Sequence, residues 1–210
     1  MGTMMSAAAW GADTAWLARV LDALRDSVEP RRAVGFDSLR REIRQRTGLT
    51  IAADSVARGY ALDRAARVLA GVADSALLDL GGQFLWVGAR DTRRTVGIAD
   101  PDNSLGSLAT VEMRAGSVRT ASQAGRRTWV TVLAPSGIAA DAWSTAFFAI
   151  GCDRALALAP RLEPWRVSVV CGDSGRVRWT ADLEGRVLLP RGPGGAGGAG
   201  GAPPAPAPAP

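Results

Sequence analysis

Three oxygen-bearing side chains interrupt an apolar segment of the chain, "IAADAWSTAFFAIG", at residues 138–151. Asp141, Ser144 and Thr145 follow one another at spacings of three and four residues, so a helix would place them on one face, within reach of a single bound object. The same pattern is also typical of a purely structural arrangement. In that interpretation Asp141 is the helix N-cap, while the two hydroxyls bond back to the preceding turn. Both interpretations stand, and caps are the commoner of the two.

Composition excludes several kinds of catalytic site. The chain has no His, which removes imidazole general bases, Ser-His-Asp and Cys-His nucleophile systems, and His-containing zinc sites. Its two cysteines, Cys152 and Cys171, are too few for a thiolate metal site. Any metal must therefore be held by oxygen. The two cysteines form either one disulfide or two buried free thiols.

Charge and length set the broad class. The 210 residues are 47% hydrophobic and 21% charged, which is enough for one ordinary core and suggests a single domain with appendages. The net charge is +5 and all 25 basic residues are arginines. These arginines are spread along the chain and form no basic block, so we expect no nucleic-acid partner.

Nothing in the sequence predicts a membrane-spanning helix or an export signal. No segment reaches transmembrane length. The beginning of the chain, "MGTMMSAAAWGADTAW", lacks a basic start and a clean apolar run. For the chain as written we therefore expect a cytoplasmic location.

The first third of the chain predicts helices after one short strand. The strand covers residues 4–10. An amphipathic helix follows over Ala12 to Glu29, and Pro30 ends it. After a basic connector, "SVARGYALDRAARVLAG" from Ser55 to Gly71 predicts a second helix that ends at its glycine.

From Ser75 onward the pattern predicts short strands separated by Gly, Asp, Asn and Pro. A helix over Ala140 to Ile150 follows, then another over Asp153 to Ala159, then a hairpin that turns at Gly172 to Gly175. This order predicts the α+β class, with helices packed on a mostly antiparallel sheet. We expect one domain over residues 1–190 and a disordered Gly/Ala/Pro-rich tail over 191–210.

Two further stretches have residue types that are unusual for segments with a purely structural role. Arg58, beside Gly59 at a predicted helix start, suits a phosphate, although a solvated surface arginine explains it as well. Gly81 and Gly82 follow a strand and allow a ligand or a second backbone to approach closely, although a turn or bulge accounts for them equally.

Six short motifs, in one order, resemble those of the ApbE family of FAD:protein FMN transferases, first described as thiamine-biosynthesis lipoproteins. They are "MGT" at 1–3, "IAADSVARGYALD" at 51–63, "DLGG" at 79–82, "GIADP" at 97–101, "SVRTAS" at 117–122 and "AADAWST" at 139–145. The resemblance covers most of the chain.

The resemblance implies an activity and a set of site residues. Members bind FAD with Mg²⁺ and move the FMN portion to a Thr or Ser of a partner protein, which releases AMP. Many members are exported or membrane-anchored. Applied to this sequence, the resemblance implies metal-site residues Ser55, through its backbone carbonyl, Asp141, Ser144 and Thr145. It implies cofactor-binding residues Met1, Arg58, Gly81, Gly82 and Thr120.

The sequence also departs from the family pattern. Ala52 stands where the family has an Asp that contacts FAD, and Arg58 stands at a Lys or Glu position. Only "EPRRAVG" lies between Val28 and Phe36, where the family has a longer stretch with an aromatic that stacks on the flavin. Between Ser122 and Val130, "QAGRRTW" replaces a family motif that begins with His.

These departures leave no residue to assign as the catalytic base. We therefore expect a weakened or inactive transferase. The alternatives are a non-catalytic relative that binds FAD and Mg²⁺, or a structural remnant.

Overall fold

The computed structural model describes residues 5–11, 15–25, 35–70, 72–88, 93–100, 103–123, 125, 128–173 and 175–190. The helices are α1 (Trp16–Arg25), α2 (Phe36–Thr47), α3 (Ala57–Leu69), α4 (Gly137–Ile150) and α5 (Cys152–Leu158). The strands are β1 (Met5–Trp10), β2 (Ser75–Leu80), β3 (Gln83–Val87), β4 (Arg94–Asp100), β5 (Asn103–Met113), β6 (Gly116–Ser122), β7 (Trp129–Ala134), β8 (Ser168–Asp173), β9 (Arg176–Trp179) and β10 (Val187–Leu188).

The strands form two antiparallel sheets. The larger sheet has seven strands in the order β1-β2-β3-β6-β7-β8-β9, and the smaller has three in the order β10-β5-β4. Every described strand pair is antiparallel. The predicted α+β class with a mostly antiparallel sheet is confirmed.

Alternation along the central strands separates the two sides of the large sheet. In β7, Val130 and Val132 belong to the core beneath α2, α4 and α5. Their neighbours Trp129 and Leu133 belong to the core shared with the small sheet. Because successive side chains of a strand point to opposite faces, the large sheet lies between a helical layer and the small sheet.

The boundaries of the helices correct two sequence expectations. The basic connector contains α2, whose buried Phe36, Leu39 and Ile43 follow helical spacing among many charged residues. The predicted helix over 140–150 begins earlier, at Gly137, because Ser136 caps it and accepts a hydrogen bond from the Ala139 N–H. Residues 26–34, Gly71 and the predicted tail over 191–210 lie outside the described residues.

No helix in the described part of the chain has both the length and the apolar character that a bilayer crossing requires.

Cys152 and Cys171 form a disulfide, which decides between the two alternatives that the sequence left open. Cys152 begins α5 and Cys171 lies in β8, and both are buried. The bond closes a loop with a sequence separation of 19 residues. It therefore fixes the end of α4 and the start of α5 on the large sheet.

We predict that the double variant Cys152→Ser/Cys171→Ser loses about 3 kcal/mol of unfolding free energy, because cross-linking a loop of this size restricts the unfolded chain. Urea unfolding of the oxidised protein and the variant measures this difference. Thiol titration of the denatured, unreduced protein should find no free cysteine. Two titratable thiols and unchanged stability would contradict the prediction.

Candidate functional site

Helices α3 and α4 touch backbone to backbone where Gly59 meets Gly137. A Cβ atom added to Gly59 would lie 2.2 Å from the Gly137 carbonyl oxygen, and one added to Gly137 would lie 2.4 Å from the Gly59 carbonyl oxygen. Real Cβ atoms do not approach that closely. Glycine is therefore required on both sides of this contact.

Two carboxylates fasten the contact reciprocally. The Gly59 N–H donates to Asp141 Oδ2 at 3.1 Å, and the Gly137 N–H donates to Asp63 Oδ1 at 2.6 Å. Asp63 Oδ2 also accepts the Ile138 N–H at 3.0 Å. Each helix thus supplies a glycine and, four residues later, an aspartate that binds the backbone of the other helix. We call Gly59, Asp63, Gly137 and Asp141 the aspartate clasp.

Gln83 connects the aspartate clasp to the large sheet. It is fully buried, and its Nε2 donates to the Gly137 carbonyl at 2.8 Å and to Ser117 Oγ at 3.3 Å. Ser117 Oγ in turn donates to the Phe84 carbonyl at 2.8 Å. Gln83 Oε1 has no partner among the described residues. The start of α4 is consequently held by α3 and by strands β3 and β6.

Arg119 brings a guanidinium to the same place. Its Nε donates to Asp141 Oδ1 at 3.4 Å, and the Asp141 side chain is 2% exposed. Burial raises the pKa of Asp141, against the opposing effects of the Gly59 hydrogen bond and of the charges on Arg119 and Arg58. Burial also lowers the pKa of Arg119, and the nearby charge of Arg58 lowers it further. The buried Asp141 carboxylate thus lies close to two guanidiniums.

The structure divides the predicted residues of α4. Ser144 Oγ and Thr145 Oγ1 each donate to the Asp141 carbonyl at 3.0 Å, so the expected bonding back to the preceding turn is confirmed. The prediction that Asp141 is the N-cap is wrong, because Ser136 caps α4 and Asp141 lies in its second turn. The Asp141 carboxylate reaches α3 and β6 instead.

The other predicted residues are less closely grouped. Arg58 lies in the first turn of α3, near Asp141 and Arg119, and Ser55 lies in the 3-10 turn just before α3. Thr120 pairs with Thr131 through their hydroxyls at 2.8 Å. Because Arg119 faces the helices, its neighbour Thr120 faces the small sheet, away from Asp141. Met1 lies outside the described residues, and the roles assigned to all of these residues stay predictions.

Gly81 and Gly82 form the turn between β2 and β3. Both have positive φ, 59° and 77°, and Asp79 Oδ1 accepts the Gly82 N–H at 2.9 Å. This turn geometry accounts for the pair. Both glycines are exposed, and nothing lies within 4 Å of the place where a Cβ of Gly82 would stand. The turn therefore leaves room for a ligand.

These residues do not fit the Mg²⁺ ion that the family resemblance implies. Asp141 is the single carboxylate among the predicted ligands, and its two oxygens already bind an amide N–H and a guanidinium. The described residues contain no group of three or more Asp, Glu, Cys or His that could hold a metal ion. The guanidiniums of Arg119 and Arg58 lie close to Asp141, and their positive charges oppose a dication there.

Asp63, Gln83 and Arg119 were not predicted from the sequence as site residues. A usable signal existed for the first of them. Both "GYALD" at 59–63 and "GIAAD" at 137–141 place an aspartate four residues after a glycine, that is, one helical turn away on the same face. No comparable signal distinguished Arg119 from the other arginines of the chain.

A comparison with family models finds the ApbE family over residues 3–129, which is more than half of the chain. The chain belongs to the ApbE family. The matched residues include α3, Gln83 and Arg119 but end before α4. The membership is thus shown independently of Asp141, Ser144 and Thr145.

Solved structures of ApbE proteins share the fold. The ApbE protein of Thermotoga maritima has a TM-score of 0.54 at 18% identity, over 84% of this chain and 79% of that one. The flavin transferase ApbE of Vibrio cholerae has a TM-score of 0.51 at 15% identity, over 82% of this chain and 74% of that one. A comparison with curated proteins finds no match.

We predict that Gly59→Ala destabilises this ApbE family member by about 3 kcal/mol, because the new methyl group meets backbone atoms that no rotamer change can move. Gly97→Ala is the matched control, since its Cβ would lie 3.9 Å from Ser107 Oγ and would make an ordinary contact. Urea unfolding monitors both variants. Equal stability of the two would show that the backbone contact is absent.

A second prediction concerns Asp63. Burial raises its pKa above 3.8, so the folded protein holds this proton more strongly than the unfolded chain does. The stability that protonation of Asp63 contributes is fully present below the pKa of the unfolded chain. It is lost as the pH rises through the higher pKa of the folded protein. The unfolding free energy of the wild type relative to Asp63→Asn should therefore fall as the pH rises above about 4.

Urea titrations of both proteins across that range measure the difference. Asp37→Asn, which removes an exposed carboxyl in the first turn of α2, serves as the control. A wild-type difference from Asp63→Asn that stays constant with pH, or one that grows, would be inconsistent with the raised pKa.

Proposed function

We propose that this ApbE family member binds FAD and transfers its FMN portion to a Thr or Ser hydroxyl of an acceptor protein. The observation that carries the proposal is the convergence at one place of three family motifs, residues 51–63, 117–122 and 139–145. Three hydrogen bonds join residues that are far apart in sequence. The separation is 82 residues for Gly59 and Asp141, 74 for Asp63 and Gly137, and 54 for Gln83 and Gly137.

The start of α3 offers a suitable environment for a pyrophosphate. Arg58 lies in its first turn, close to the second guanidinium of the site, that of Arg119. A guanidinium binds phosphate oxygens in a bidentate manner. We infer that FAD places its phosphates beside Arg58 and Arg119, with the β2–β3 turn at Gly81 and Gly82 as a neighbouring wall.

The reaction would form a phosphoester between the acceptor hydroxyl oxygen and the phosphorus of the FMN portion. The bond from that phosphorus to the bridging oxygen breaks, and AMP leaves with that oxygen. The hydroxyl proton must go to a base, for which this chain supplies no histidine. We include no Mg²⁺ in the proposal, because the donors at Asp141 do not fit it.

A second candidate is FAD binding without transfer. It is favoured by the absence of His from all 210 residues and by the short segment between Ser122 and Val130. In that case the nucleotide site survives while the acceptor-activating part does not.

The disulfide bears on where such a reaction would occur. Disulfides are typical of proteins that fold in oxidising compartments. Cys152–Cys171 therefore supports a location outside the reducing cytoplasm, in contrast to the expectation from the sequence as written.

The test is a flavinylation assay. The purified protein is incubated with FAD and an acceptor protein that carries a Thr or Ser flavinylation motif, both with MgCl₂ and with EDTA. We expect flavin that stays attached to the acceptor after denaturation and an equal amount of AMP. Arg58→Ala should reduce transfer about tenfold, because a charge-assisted phosphate contact is lost. The exposed Arg40→Ala on α2 is the matched control.

Bound FAD without covalent flavin or AMP would favour the second candidate. Neither binding nor transfer under either condition would overturn the proposed function.

A further inference from the structure

We propose that Arg119 provides the positive charge that the family resemblance assigns to Mg²⁺, so that this chain binds FAD without a divalent cation. The inference rests on the proposed function, in which FAD occupies the site beside α3 and α4. It also gives a reason for the misfit between the predicted metal ligands and a metal ion.

Position is the first argument. Arg119 projects from β6 towards the helical layer and reaches Asp141, the one carboxylate of the predicted metal site. The two side chains are 18% and 2% exposed. The guanidinium therefore lies at the solvent-accessible side of a carboxylate that is itself enclosed.

The engagement of Asp141 is the second argument. Its Oδ2 belongs to the aspartate clasp through the Gly59 N–H, and its Oδ1 binds Arg119 Nε. A dication bound to Oδ1 would share that oxygen with the guanidinium and lie close to its positive charge, and one bound to Oδ2 would compete with the Gly59 N–H for the same oxygen. At either oxygen, a metal ion would therefore be opposed by a group that Asp141 already binds.

Charge is the third argument. Arg119 and Arg58 place two positive charges close to the Asp141 carboxylate. Asp63, the other carboxylate of the aspartate clasp, accepts the Gly137 and Ile138 amides. The two guanidiniums would repel a dication at Asp141, whereas they would attract a pyrophosphate. Arg119 uses Nε for Asp141, and its terminal nitrogens carry further donors that suit phosphate oxygens.

The experiment measures the affinity for FAD from the quenching of flavin fluorescence, with excess EDTA and with excess MgCl₂. We expect the wild type to have the same Kd under both conditions. Arg119→Ala should weaken binding about tenfold in EDTA, as expected for one lost charge-assisted contact, and MgCl₂ should restore much of this loss. Arg119→Gln keeps a polar side chain without the guanidinium charge and serves if the alanine variant unfolds.

A second measurement uses Mn²⁺ alone, followed by its electron paramagnetic resonance signal in the absence of nucleotide. The wild type and the control Arg40→Ala should leave Mn²⁺ free, while Arg119→Ala should bind it. Wild-type FAD binding that requires MgCl₂, or wild-type binding of Mn²⁺, would overturn this inference and leave the proposed function in place. Failure to bind FAD under both conditions would overturn the proposed function and this inference together.

Discussion

The aspartate clasp is the constraint on which the rest of the helical layer depends. Two helices approach until their backbones touch at Gly59 and Gly137, and each aspartate then satisfies amides of the opposite helix. Amides at a helix start lack partners within the helix, so buried carboxylates are well suited to this position. Each helix therefore contributes both a hydrogen-bond donor and an acceptor to the contact. Loss of either glycine or either aspartate disturbs α3 and α4 together.

This arrangement limits what Asp141 can do in chemistry. A carboxylate without a structural role is free to change partners. The Asp141 carboxylate is not, because it supports the fold by accepting the Gly59 N–H. Arg119 donates to the other carboxylate oxygen, Asp141 Oδ1, and brings a positive charge beside it. Three residues of α4 were predicted as metal-site residues from the sequence. In the structure the Asp141 carboxylate has a structural role, and the hydroxyls of Ser144 and Thr145 donate to the Asp141 carbonyl. The chemical character of the site comes instead from the guanidiniums around it.

The sequence predicted those parts of the fold in which local pattern and tertiary burial agree. Alternation predicted the strands of the antiparallel sheet, and helical spacing together with glycine predicted α3. In α2 the three buried residues Phe36, Leu39 and Ile43 are diluted by charged neighbours, so the pattern was interpreted as a connector. The contact between Arg119 and Asp141 was beyond prediction for a different reason. Their contact depends on the register of β6 beneath α4, which no local window contains.

The same distinction explains how a chain without histidine can keep the family fold. Backbone amides, two glycines and two carboxylates hold α3 against α4, and Gln83 ties them to the sheet. None of these contacts needs a side chain that activates an acceptor hydroxyl. The segment between Ser122 and Val130 joins two adjacent antiparallel strands, β6 and β7, so its length can change without altering their register. The proposed nucleotide site is therefore separable from that segment, because the hydrogen bonds that hold α3, α4 and Gln83 involve none of its described residues.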